Sequence, residues 1–226
     1  MLDPEYRCQE VLPWFRRDAM ETLDGLEFYL KTLEKFISDK EDEEVSNLRQ
    51  HADQWPTDKQ GEFWAWHYPG HWEEIFASQL RSSFVVTLIS LAESQVGMVT
   101  EQVSEIAAIP KSPDSNGGQF ERHRKQLKQA GLSPNDACWN SLYDIRSIRN
   151  CLVHANSRIR DSRKADSRKE KHLRLLINRL PGLSAPYDVV ELSSEFPKYC
   201  LERVKEFVVD LYKETSVLCQ GIAGSV

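Results

Sequence analysis

The chain has 226 residues, of which 40% are hydrophobic and 28% charged, with 10 Gly and 10 Pro. That balance excludes a collagen-like, low-complexity or wholly disordered chain, and the length is enough to bury a core without help from metals or disulfides. The net charge of −6 hides an asymmetry: residues 1–120 carry −12, residues 121–180 carry +9 (15 Lys and Arg against 6 Asp and Glu), and residues 181–226 carry −3. Phosphates respond to local potential, so the basic middle keeps a nucleic-acid partner open despite the acidic total. Mutual neutralisation of the acidic and basic parts in the fold is the competing reading.

No apolar run reaches the ~18 residues that span a bilayer; the longest, Phe84 to Leu91, is broken by Thr87 and Ser90. The opening MLDPEYRCQE is polar and acidic, unlike a secretory signal. Five scattered cysteines (Cys8, Cys138, Cys151, Cys200, Cys219) without a CxxC predict reduced, packed thiols. Together these features predict a cytoplasmic protein that does not engage a membrane.

In chain order the pattern is mainly helical. Leu23, Leu26, Leu30, Leu33 and Ile37 repeat at helical spacing within a helix from Trp14 to about Val45, expected to fray at the acidic EDEE of 41–44. Residues 47–70 read as a connector with Pro56, Gly61, Pro69 and Gly70, whose aromatics Trp55, Phe63, Trp64 and Trp66 pack it down. From about His71 to Ile109 the pattern predicts one apolar helix of ~60 Å, ended by Pro110, with Gly97 as a possible bend. Residues 111–118 are a turn, and Phe120 to Ala130 a short basic helix ended by Gly131.

Ser133-Pro134-Asn135-Asp136 has the form of a helix start with Ser133 as N-cap, and this helix runs to about Ala155. Residues 157–172 predict a mobile loop or solvated helix, Leu173–Leu180 a helix, Tyr187–Leu192 a single strand, and Pro197 to about Leu218 a last helix. The fold class expected is mainly all-α, a helical bundle with long antiparallel helices and one short strand or hairpin near 187–192. Its organisation is an N-terminal helix and connector over 1–70 and a helical domain over 71–226.

There is no GxGxxG, Walker A, GxSxG or HExxH pattern, so no cofactor is expected. His67 and His71 are four apart, but Pro69-Gly70 separates them and no metal site is expected there.

The informative stretch is 141–156, SLYDIRSIRNCLVHAN. On a helical wheel Cys138, Leu142, Ile145 and Leu152 form a core stripe, beside a polar stripe of Tyr143, Arg146, Asn150 and His154. Arg149 falls within the apolar stripe and demands a partner or a polar crevice. Glu93, set in the long apolar helix, is a candidate partner, and a purely structural Arg149–Glu93 ion pair is one reading. His154 sits at the helix C-terminus, where the dipole favours imidazolium and suits it to acid–base work, with Asn150 one turn earlier to orient it. The competing reading is a capping histidine. Arg149 and His154 stand ~140° apart around a straight helix and ~7.5 Å apart along it. They would meet only at a frayed helix end or across a two-fold axis between copies.

Arg149-Asn150-Cys151-Leu152-Val153-His154 resembles the Arg-Asn-x-x-x-His form of the motif of HEPN domains. Leu-Ala-Glu-Ser at 91–94, Ser-Arg-Ile at 157–159 and the closing stretch from Val189 extend the resemblance over about residues 72–218. It implies a helical bundle, commonly a homodimer with the motif at the interface, and a metal-independent endoribonuclease of the toxin–antitoxin or phage-defence kind, held by an antitoxin or other inhibitor. Carried across, Arg149 and His154 are the catalytic pair and Asn150 supports them. Asn156 stands where one subgroup has Tyr, which sets that subgroup's nucleotidyltransferase partnership aside.

The chemistry needs a base for the RNA 2′-OH, an acid for the leaving oxygen and positive charge on the phosphate. It would give 2′,3′-cyclic phosphate and 5′-OH ends. Arg146, Arg158 and Arg160, with Arg163 and Lys164, would guide the RNA backbone, and Glu93 would support the site. The alternatives are a non-catalytic HEPN-type module binding RNA or nucleotide, and a protein-interaction bundle using the aromatic-rich 55–72 segment.

Overall fold

Apolar residues at helical spacing dominate this chain, and the computed structural model, which describes residues 3–67, 76–110, 118–133, 135–159 and 167–223, is mainly α-helical. The helices are α1 (Pro4–Tyr6), α2 (Leu12–Ala52), α3 (Gln60–Trp66), α4 (Ser78–Ile106), α5 (Gln119–Gln129), α6 (Asp136–His154), α7 (Ser167–Arg179) and α8 (Glu195–Ala223). The strands β1 (Leu183–Ser184) and β2 (Glu191–Leu192) pair antiparallel, Leu183 opposite Leu192 and Ser184 opposite Glu191. Of the short strand or hairpin expected near 187–192, the structure has the hairpin, with a 3-10 turn at Pro186–Asp188.

Several boundaries move. α2 continues through the acidic 41–44 run to Ala52, with Arg49 and His51 in its last turn to complement the helix dipole, so the run lies inside a helix and frays nothing. The predicted connector contains α3, where Phe63 is buried against Trp55 and Trp64 at centroid distances of 5.5 Å each, while Trp66 stands exposed. α4 passes Gly97 without interruption and is 29 residues long, shorter than the expected ~60 Å rod. Asn135, not Ser133, caps α6: its Oδ1 accepts the Ala137 N–H at 2.8 Å. The turn expected at 111–118 falls largely outside the described residues, as do residue 70 and His71.

The chain forms two compact units. The first comprises residues 1–26, 86–149 and 199–226, the second residues 27–85 and 150–198, so α2, α4, α6 and α8 each contribute to both. The core of the first unit contains Leu23, Leu88, Val96, Val99, Leu142, Ile145, Val204 and Phe207, all essentially inaccessible. Its aromatic centre is Trp139, 4.8 Å from Phe120 and 5.0 Å from Phe207 between centroids. Buried Tyr212 donates to Gln95 Oε1 at 2.6 Å.

In this unit Cys8 and Cys219 are joined in a disulfide with their Cα atoms 5.4 Å apart. This corrects the expectation of reduced thiols for that pair. A separation of 211 residues carries no spacing signal, and only the fold brings the two cysteines together. Cys138, Cys151 and Cys200 remain free.

The second unit buries Leu30, Leu33, Ile37, Phe63, Phe84, Leu176, Val190 and Phe196. Its polar centre is Arg81, buried and forked onto Glu34 (Nε to Oε1 3.0 Å, Nη2 to Oε2 2.9 Å), with a third bond from Nη1 to the Leu192 carbonyl at 3.1 Å. One guanidinium thus ties α2, α4 and β2 together.

By length and mean hydropathy (1.3 over its most apolar window) α4 could cross a membrane, which run length alone did not indicate. Its apolar side chains are already spent on the two cores, Phe84 and Val85 in the second unit and Leu88, Val96, Val99 and Val103 in the first.

Gly182 precedes the hairpin with φ +70°, and a Cβ there would sit 2.5 Å from the Phe196 nitrogen. Gly182→Ala should destabilise the protein by about 1–3 kcal/mol, a fall in Tm of several degrees by thermal circular dichroism. Gly61→Ala, in open space on α3, should leave Tm unchanged or slightly raised.

Candidate phosphate-binding hollow and the α6 motif

α6 presents its core side through Leu142, Ile145 and Ile148. Arg146 and Arg149, three residues apart, are neighbours on its surface. Both reach the Glu93 carboxylate of α4. Arg146 Nε donates to Oε1 at 2.6 Å, and Arg149 Nη2 donates to Oε2. The side chains are 30% (Arg146), 15% (Arg149) and 30% (Glu93) exposed, so the triad is neither dry nor freely solvated. The ion pair expected between Arg149 and Glu93 is present, and Arg146, expected only to steer RNA, shares it. Within the triad the count is two guanidiniums to one carboxylate.

The triad lines an open hollow of about 280 Å³ together with Ser94, Gln119, Phe120 and His123. All seven residues belong to the first unit. α5 supplies the far wall, seated by buried Phe120 and Leu127 and ended by Gly131 at φ +85°. The Arg146 guanidinium lies 5.7 Å from the Phe120 ring centroid, a cation–π contact that fixes its plane. Tyr143 donates to Glu121, and its hydroxyl is pushed up to about 12, first by burial and then by that hydrogen bond, so it is a donor and not a base.

His123 is half-buried in this wall. Burial, and then the Arg122 charge, hold its imidazole below the ordinary value. Sequence reading passed it over. The available signal was its place at i+3 between Phe120 and Leu127, on the core-facing stripe of α5.

His154 and Asn150 fall in the second unit, in the last turns of the same helix, His154 exposed and Asn150 half-buried. The helix end is firmly closed. Asn156 and Ser157 take left-handed φ of 50° and 64°, and the N–H groups of Ala155 and Ser157 both bond the Cys151 carbonyl at 3.1 Å. The chain is then pinned by Val190 N–H to the Ser157 carbonyl (2.7 Å) and Ile159 N–H to the Asp188 carbonyl (2.9 Å). A frayed end, one of the two ways Arg149 and His154 were expected to meet, is therefore not what the structure has. Asn is among the few residues that accept the left-handed conformation readily, which gives Asn156 a structural reason to stand there. Arg158 is exposed next to this closure; Arg160, Arg163 and Lys164 lie outside the described residues. His67 stacks on Phe63 with centroids 4.5 Å apart.

No family model, curated protein or solved structure matches the chain.

Removing the shared carboxylate isolates the role of the excess charge. Glu93→Gln should lower stability by about 2 kcal/mol, roughly 4–8 °C in Tm, because two half-buried guanidiniums lose their counter-charge. Millimolar phosphate should restore part of that loss, and chloride at equal ionic strength should not. Thermal melts with both salts check this; equal response to the two salts would show that the hollow has no preference for phosphate.

Proposed function

We propose that the protein is an endoribonuclease that needs no metal and cleaves RNA through its own 2′-hydroxyl. The observation that carries this reading is the pair of guanidiniums, Arg146 and Arg149, sharing one carboxylate at the mouth of an open hollow, at the head of a helix segment whose sequence resembles the HEPN motif. Arg149 and Arg146 hold the phosphate, the planar fork of each guanidinium matching two of its oxygens. As they do so they share their charge between Glu93 and the substrate, so the site is filled without a bare buried cation. His154, exposed to solvent at the end of α6, exchanges the proton, and Asn150 supports it. Products carry 2′,3′-cyclic phosphate and 5′-OH ends. The active form is a homodimer in the cytoplasm, restrained by an antitoxin or other inhibitor, and Arg158 and Arg160 guide the strand.

The second reading is a non-catalytic RNA-binding module. It is favoured by the engagement of both arginines with Glu93, which a purely structural role would also produce.

Incubation of the protein with RNA in EDTA separates the two. Wild type should leave 2′,3′-cyclic phosphate ends, a substrate with a 2′-deoxy residue at the cleaved position should resist, and His154→Ala and Arg149→Ala should each lose on the order of 100-fold or more in rate. RNA bound with a steep salt dependence yet left whole would establish the binding module instead, and equal cleavage by wild type and His154→Ala would remove His154 from the reaction.

A further inference from the structure

One imidazole lines the hollow beside Arg146 and Arg149 and has no part in the motif. We propose that His123 is a further catalytic residue of this site, the base that takes the 2′-hydroxyl proton from an RNA strand whose phosphate is held by Arg146 and Arg149. The proposal rests on the ribonuclease reading above.

Three features of the wall carry it. His123 lines the same hollow as both guanidiniums, in the same compact unit. Its Nδ1 is buried, and among the described residues no hydrogen-bond partner reaches it. A second proton on the ring would therefore place a charged N–H against a surface that cannot accept it, and the ring stays neutral in the resting site. The working nitrogen is then Nε2. It lies beside Gly97 of α4, 3.8 Å from where a Cβ would stand, at ordinary van der Waals distance.

The charges facing the ring are Arg122 on its own helix, Arg146 and Arg149 across the hollow on α6, and Glu93 on α4. Burial, and then the Arg122 charge, disfavour the imidazolium before substrate arrives. A bound phosphate offsets that charge and steadies the imidazolium that forms when the proton is taken. Base strength thus rises when the substrate is in place.

The step balances without a co-reactant. The 2′-hydroxyl gives its proton to Nε2 as the 2′-oxygen bonds phosphorus. The bond from phosphorus to the 5′-oxygen breaks, and that oxygen leaves with a proton from His154 of a second copy in the proposed homodimer. Exchange with water then returns both histidines to their starting states.

The test is the pH dependence of RNA cleavage by wild type, His123→Gln and His154→Gln, with the histidine titrations of the wild type followed by 13C NMR and RNA affinity measured by anisotropy. His123→Gln should lose on the order of 100-fold in kcat with RNA affinity within threefold of wild type. The acid limb of the wild-type kcat/KM profile should coincide with the NMR titration of His123 in the free protein, below the 6.5 of an ordinary imidazole. Wild-type cleavage that persists undiminished in His123→Gln, or an acid limb that follows a different histidine, overturns the assignment of His123 alone. RNA left whole by the wild type at every pH overturns the ribonuclease reading and this assignment with it. Should His123→Gln fail to fold, the comparison of the limb with the NMR titration in the wild type still decides.

Discussion

The Glu93 carboxylate stands between two guanidiniums, and the properties of the hollow follow from that count. With one arginine the pair would be neutral and closed; with a second carboxylate it would be a structural knot. Two against one leaves a unit of positive charge that the protein does not neutralise within the triad. Opposite charges at 4 Å attract by ~4 kcal/mol at an effective dielectric of 20. Most of that is offset by the cost of drawing both groups partly out of water. On the proposed reading, that small remainder lets one guanidinium turn toward an arriving phosphate. Because Glu93 belongs to α4 and both arginines to α6, the same ions that prepare the site also fix these two helices against each other within the first unit.

The wall opposite the triad depends on aromatic packing. Phe120 meets Trp139 and Tyr143, and Trp139 meets Phe207, all with ring centroids 4.8–5.2 Å apart. This cluster seats α5, a helix of only 11 residues that is mostly polar and would be marginal alone. Arg124 adds a bond to Asp136 at 2.6 Å and lies over the Trp139 and Tyr143 rings, so this cation of α5 is spent on holding it down. His123 lines the hollow from the same helix. The two histidines of the α5 and α6 helices thus differ in kind: His154 is exposed, whereas His123 sits in a wall where burial, and then the Arg122 charge, disfavour its imidazolium.

The helical class was legible because it rests on periodicity. Leu23, Leu30, Leu33 and Ile37 are buried as their spacing predicts, as are Leu142, Ile145 and Leu152 on α6. The Arg149–Glu93 pair was legible for a related reason: a guanidinium on an apolar stripe must find a counter-charge, and Glu93 was the acid interrupting the neighbouring apolar run. What the sequence did not disclose is what depends on long-range placement. Glu93 also takes Arg146, His123 faces the arginines from another helix, and Cys8 finds Cys219 across nearly the whole chain. Local chemistry misled at two ends. The acidic 41–44 run suggested a helix terminus but sits inside α2, and Ser133 looked like a cap whose work Asn135 performs.

The closed end of α6 has a consequence for the motif itself. Arg149 and His154 stand ~140° apart around the helix. Fraying would let them swing together, but the bonds of Ala155 and Ser157 to the Cys151 carbonyl, and the pinning of Ser157 and Ile159 to the 188–190 stretch, oppose it. On the proposed reading, a proton acceptor for a phosphate held by Arg149 can come from a second copy or from another element of the same unit. The first unit already contains such an element in α5, whose imidazole lines the hollow that both guanidiniums open onto. On the proposed reading, the sequence motif supplies the group that holds the phosphate, and the base lies 26 residues earlier, on a helix with no motif at all.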